Sequence, residues 1–207
     1  MAQPWQAGDF EPKKRPVQRR SRETFEALVE ACTWLLPRRG YAGTTTNHVA
    51  ARAGVSIASL YEYFPGKDAI VAQVADRMVA RILARLSEDA IAVGAAPEVG
   101  AVRLWIEKIH DTVMREHELI AVFVYQVPYT NRLDAIRAVS GRLLAFSQQI
   151  HRHAGGRVRR EISPALMQLL INLVTSTILQ LVVEPLEPAA HRALLDELAT
   201  RVEEWVR

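Results

Sequence analysis

A chain of 207 residues with a 49% hydrophobic set and 24% charged residues can bury a core and is too apolar to remain disordered. Its net charge of +3 is too mild to demand a nucleic-acid partner by itself, and its single cysteine, Cys32, excludes an internal disulfide. The N-terminus lacks the apolar stretch of a signal peptide, so a cytoplasmic location is expected.

Taken in chain order, residues 1–20 are rich in proline and charge and read as a flexible arm. Lys13, Lys14, Arg15, Arg19, Arg20 and Arg22 follow one another with no acid among them. Such an arm is either a solvated tail or a strand that reaches phosphates or a minor groove. A first helix carries Phe25, Leu28, Val29, Cys32, Leu35 and Leu36 at three- and four-residue intervals, which gives one apolar face. Cys32 on that face reads as a buried structural thiol. Pro37 predicts a kink or an early end. Gly40 suits the left-handed position past a helix end, with Tyr41 folding back.

Thr45 is placed to cap a second helix, with Val49, Ala50 and Ala53 turned inward. Gly54 fits a tight turn. Ser56 caps a third, short helix, and Val55 with Leu60 has the spacing of a hydrophobic staple. Leu60, Tyr61 and Phe64 are its expected anchors, and Pro65-Gly66 ends it. Its outer face is expected to show Ile57, Ala58, Ser59, Glu62 and Tyr63, slim enough at one end for a major groove about 12 Å wide.

The run Gly40-Tyr41, Thr44-Thr45, Val49-Ala50, Ala53-Gly54-Val55-Ser56, Leu60-Tyr61, Tyr63-Phe64, Lys67-Asp68 and Ile70 resembles the TetR family of transcriptional regulators. The resemblance covers residues 20–70. Ala58-Ser59 stands where the family usually has Gly-Thr, Gly66 where it usually has Ser, and His48 where an acid is frequent. The resemblance implies an all-α fold of about nine helices, with a helix-turn-helix head over residues 21–66 and a helical ligand-binding and dimerisation domain over residues 67–207. It places Thr46, Tyr61, Tyr63 and Lys67 at phosphates and Ser56, Ile57, Ala58 and Glu62 at bases. Ile57 would pack on a thymine methyl and Glu62 would accept from a cytosine amine. For Tyr61 core packing is the alternative, and for Glu62 a solvated charge.

From Lys67 a long helix is expected to end at Gly94, about 40 Å on, with Ile70, Val71, Val74, Met78, Ile82 and Leu86 as its seam. Further helices are expected from Pro97, across Leu119–Val127, and from Asn131 to His153, before an exposed loop at 154–161. Ser163-Pro164 is a helix start. The helix to Glu184 is apolar nearly all round, but Gln168, Asn172 and Gln180 interrupt it, so it reads as buried on two sides rather than as a membrane span. A last helix runs to Arg207 with Leu194, Leu195, Leu198, Val202 and Trp205 on one stripe. These two helices either pair with a second copy in an isologous homodimer or complete a monomer core.

The family resemblance further implies a palindromic double-stranded DNA operator and release of a repressor by a small-molecule effector. Trp105, Ile109, Phe123, Tyr125, Tyr129, Phe146, Asn172 and Thr175 are the candidate effector contacts. No catalytic residue, metal or cofactor is expected. His110-Asp111, His117-Glu118 and His151 with His153 lack metal-ligand spacing, and no phosphate loop or nucleophile elbow occurs. The remaining alternatives are sequence-neutral DNA binding and a helical ligand-binding protein without an operator.

Overall fold

The structure is a computed structural model that describes residues 5–94, 100–145, 163–184 and 186–206. It is all-helical, with no strand among the described residues. Two compact units share the chain: Met1–Val79 with Glu118–Arg137, and Ala80–His117 with Ala138–Arg207.

In the first unit, α1 (Arg19–Gly43), α2 (Thr46–Ala53) and α3 (Ile57–Tyr63) form the trihelical head. The apolar stripe of α1 is buried as its spacing requires, with Leu28, Val29, Cys32 and Leu36 fully enclosed. Each such aliphatic side chain contributes roughly 2 kcal/mol through burial. Pro37 stays inside α1, and the helical path breaks three residues later at Gly40, where φ is 69°. A Cβ there would lie 2.5 Å from Gln126 Oε1, so the site needs glycine for both its backbone angle and its crowding. Burial pushes the Cys32 thiol up to about 12, which makes it an inert core group.

The long helix α4 spans Lys67–Gly94. Its first half buries Ile70, Val71, Val74 and Met78. The first unit is completed by α6 (His117–Tyr125), a 3-10 turn at Thr130–Arg132 and the short α7 (Asp134–Arg137). The single helix expected from Asn131 is therefore broken. Residues 139–145 are helical again, and the expected continuation to His153, the loop at 154–161 and Pro97 lie outside the described residues.

In the second unit, α5 (Ala101–Met114) packs on both α8 (Pro164–Val183) and α9 (Pro188–Val206), which also touch each other. Ser163 caps α8 by accepting from the Leu166 amide at 3.2 Å, with Pro164 in the first helical position as its fixed φ favours. By length and composition α8 could cross a membrane, with a mean hydropathy of 1.9. It buries Leu170, Ile171, Ile178, Leu181 and Val182 on one side and leaves Leu169 and Leu179 exposed on the other. Arg81 grips Glu116 with two bonds of 2.8 Å, a bidentate pair that holds α4 to the end of α5.

Candidate nucleic-acid interface

The turn between α2 and α3 is built as its residues dictate. Thr45 accepts from the His48 amide at 3.2 Å, Gly54 takes the left-handed angles (φ 68°, ψ 29°), and Ser56 accepts from the Ser59 amide at 3.0 Å. His48, where an acid is frequent in the resembling family, sets its Nδ1 3.1 Å from the Gly43 carbonyl and its Nε2 3.3 Å from Arg39. A neutral imidazole protonated on Nδ1 satisfies both, donating to the carbonyl and accepting from the guanidinium.

Along α3, Leu60, Tyr63 and Phe64 share the buried face. Ser56, Ile57, Ala58, Tyr61 and Glu62 are exposed, Ile57 by 38% and Tyr61 by 43%. The hydroxyl of Thr46 on α2 lies 3.2 Å from that of Tyr61. The structure thus brings together Thr46, Ser56, Ile57, Ala58, Tyr61 and Glu62 on one side of the head.

Three side chains fall elsewhere than expected. Tyr63 is not on the outer face: it is only 6% exposed, and its ring meets Phe25 edge-on at 6.1 Å. The reason is register, since residues three and four apart share a helix face and Leu60 sets that face inward. Tyr61, expected among the anchors, takes the outer flank instead. Lys67 turns into the head, donating to the Tyr41 carbonyl at 2.8 Å with its ammonium 3.7 Å from the Tyr41 ring centre. Burial lowers its pKa, against the pull of the neighbouring Asp68.

Asp68 is the hub beside it. Its carboxylate accepts from the Tyr41 hydroxyl at 2.6 Å, the Tyr129 hydroxyl at 3.0 Å and the Trp5 indole at 3.1 Å. Burial first, and then the Asp68 carboxylate, push the Tyr41 phenol up to about 12 and raise Tyr129 as well. Trp5 and Phe10 pack on the Tyr129 ring at 5.3 and 4.7 Å. Residues 5–18 are therefore tied to the head, where a flexible arm was expected. The Tyr41 amide also donates to Gln126 Oε1 at 3.0 Å.

Residues 28–74 match the family of bacterial regulatory proteins described as tetR. The trihelical head and the start of α4 are thus similar to the N-terminal domain of TetR-family regulators. Nucleoid occlusion factor SlmA of Pasteurella multocida is 32% identical over 77 residues, which is 37% of this chain and 39% of that protein. An uncharacterised HTH-type transcriptional regulator of Mycobacterium bovis is 32% identical over 107 residues, 44% of this chain and 50% of its own. These matches span half or less of the curated relatives' length. Solved structures share the fold over nearly all the chain. The TetR-family regulator PfmR from Thermus thermophilus has a TM-score of 0.57 at 21% identity, covering 89% of this chain and 97% of its own. FadR from Bacillus subtilis in complex with stearoyl-CoA has a TM-score of 0.62 at 17% identity, covering 85% and 98%.

The candidate effector contacts are divided between the two units. Phe123, Tyr125 and Tyr129 belong to the first unit and Trp105, Ile109, Asn172 and Thr175 to the second, while Phe146 lies outside the described residues. Tyr129 is fully buried as the ring beneath Trp5 and Phe10, so it is a core residue of the head rather than a pocket wall. Tyr125 is 61% exposed, and Asn172 is exposed and accepts from Gln168 at 2.9 Å. Trp105, Ile109 and Thr175 are half-buried on α5 and α8, two helices that pack together.

Sequence reasoning missed the Asp68 hub, the bonds from Lys13 and Lys14 to α3, and the meeting of His110 with His191. The two imidazoles lie 2.8 Å apart between their Nε2 atoms. Sequence separations of 61, 48 and 81 residues give local patterning no way to report these pairings. Among the described residues no group of three or more His, Cys, Asp or Glu is placed to hold a metal. His117 sets its Nδ1 2.9 Å from the Met114 carbonyl, and His151 and His153 lie outside the described residues.

Proposed function

We propose that this protein is a TetR-family regulator, a cytoplasmic, homodimeric transcriptional repressor that binds a palindromic operator and is released by a small-molecule effector. The observation that carries the DNA reading is the slim exposed edge of α3. Its side chains at Ser56, Ile57 and Ala58 are small or aliphatic, while Leu60 and Phe64 lock its other face. That shape fits a major groove, with Ile57 on a thymine methyl, Ser56 and Ala58 at neighbouring base edges, and Thr46 and Tyr61 at phosphates. Two copies would present two such helices about 34 Å apart, or a multiple of that, to successive grooves. A dimer bound over a promoter blocks polymerase without any second contact surface, which favours repression.

The effector is proposed to bind in the helical body near Trp105, Ile109 and Thr175, three half-buried groups of mainly apolar character. It acts only by the difference in its affinity for the two states of the dimer. A neighbour of the same fold holds stearoyl-CoA, so a long-chain acyl thioester belongs in the ligand screen.

Selection of bound duplexes from random sequence, at fixed salt, tests the reading. A palindromic consensus bound about 1,000-fold or more above random duplex is expected. Equal affinity for both leaves sequence-neutral binding, and no binding leaves a ligand-binding protein without an operator. Ile57→Ala should relax preference at one base position, with a discrimination loss of about 1 kcal/mol. A relaxed preference spread over every position would remove Ile57 from its assigned role.

A further inference from the structure

The N-terminal arm meets α3 at one place. The Lys13 amide donates to the Tyr63 carbonyl at 2.7 Å, and the Lys13 ammonium donates to the Tyr61 carbonyl at 3.0 Å. Lys14 Nζ lies 3.2 Å from Glu62 Oε2 and 4.9 Å from the centre of the Tyr63 ring. The last carbonyls of a helix have no intrahelical donor and form the negative end of its dipole. α3 has no basic residue in its own last turn. The arm supplies what is lacking, so it caps the C-terminus of α3 from 48 residues away.

The ion pair alone would be worth little, because both its side chains are more than half exposed. The two Lys13 bonds beside it, one from its amide and one from its ammonium, fix its register. Arg15 comes next. It is exposed and has no ion pair among the described residues, whereas Arg19 pairs with Glu23 and Arg22 spends its guanidinium on the Val17 carbonyl. Pro16 favours extended backbone at Arg15, which continues the arm past the tie.

Resting on the reading of the head as a DNA binder, we propose that Glu62 reads no base. It fastens the basic arm to the end of the recognition helix, and this tie sets Arg15 against a phosphate of the same duplex. Lys14 holds Glu62 Oε2 toward the arm, so a cytosine amine would have to compete with an ammonium for this carboxylate. Its charge is also shielded from the phosphates that would otherwise repel it. The arm then extends the interface by one fixed cation.

The salt dependence of affinity for the selected duplex tests this, measured for the wild type, Arg15→Ala, Glu62→Gln and the double variant. For every phosphate that the protein ceases to neutralise, the slope of log K against log salt becomes shallower by about 0.9. Arg15→Ala is expected to lose about 1.8 from the slope in the wild-type background, one phosphate for each protomer of the proposed dimer, and less in Glu62→Gln, where only the Lys13 bonds still hold the arm. Selection with Glu62→Gln is expected to return the wild-type consensus. An unchanged slope in Arg15→Ala overturns the phosphate contact, and equal decrements in both backgrounds overturn the tie. A new base at one consensus position makes Glu62 a reader and overturns the proposal. A wild type that binds selected and random duplex alike removes the underlying reading instead, so the two failures are distinguishable.

Discussion

At the scale of single residues, the head depends on a few polar groups that have no substitute. Asp68 is the shared acceptor for the Tyr41 and Tyr129 hydroxyls and the Trp5 indole. Removing one donor is cheap beside removing the acceptor. Tyr129→Phe keeps the ring contacts with Trp5, Phe10 and Tyr41 and forfeits one hydrogen bond, a loss of about 1 kcal/mol. Asp68→Ala strands three donors, all on half-buried or buried rings, and should cost about 3 kcal/mol. Urea unfolding separates the two, with the midpoint falling further for Asp68→Ala and the slope unchanged in both. Equal midpoints would show that water replaces the carboxylate. Gly40 is the other case. An alanine there meets a strained positive φ and the Gln126 amide together, so Gly40→Ala should destabilise by more than about 1 kcal/mol. Adding Gln126→Ala should restore the part due to crowding and leave the part due to backbone strain. If the second substitution restores nothing, the close approach carries no energy.

At the scale of elements, α5 and α9 are held by charge and imidazole as well as by apolar packing. Arg103 bonds to Asp196 and reaches the Thr200 hydroxyl at 3.4 Å, and His110, about two turns further along the same face of α5, meets His191. At 2.8 Å one imidazole must donate and the other accept, so the contact requires a neutral ring. Burial first, and the proximity of His110 second, lower the His191 pKa below its ordinary value of 6.5. The unfolded chain therefore binds the proton more readily than the folded one, and stability rises with pH across that window. Acidification from about pH 7.5 to about 5.5 should lower the melting temperature, and His191→Gln should flatten this slope. An unaltered slope would move the pH dependence to another group. The same pair shows where sequence reading stops. Caps and turns were legible because each is local: Thr45, Gly54, Ser56 and Ser163 all act within three or four residues. Tyr61 and Tyr63 were exchanged because their order depends on which of two adjacent tyrosine registers packs on Phe25. The docking of Trp5 and Lys13, and the histidine pair, depend on tertiary folding that no short window contains.

At the scale of the whole molecule, the question is what covers the outward side of α8. Leu169 and Leu179 stand exposed on a helix that is apolar enough to span a bilayer, with Asn172 and Ser176 between them on the same face. On α9, Leu194 and Trp205 are exposed, and Arg201 bonds to Glu197 and Glu204 at 2.7 Å between them. An apolar strip beside a charged border is the composition of a protein interface, with a dry centre and a polar rim. In the proposed homodimer a second copy would supply the matching strip, since in an isologous contact residue i of one chain meets residue j of the other and j meets i. Symmetry also makes the seam fragile. One substitution per chain enters the interface twice, and an unpaired carboxylate taken out of water costs several kcal/mol per ion. Leu179→Glu should therefore convert the dimer to a monomer in light scattering coupled to gel filtration, while the helical content by circular dichroism stays unchanged. The monomer should retain the base preference of α3 on a half-site and lose the affinity gained from joining two half-sites. A wild type that runs at the mass of one chain would end the dimer proposal, and a Leu179→Glu variant that remains paired would move the interface to another surface.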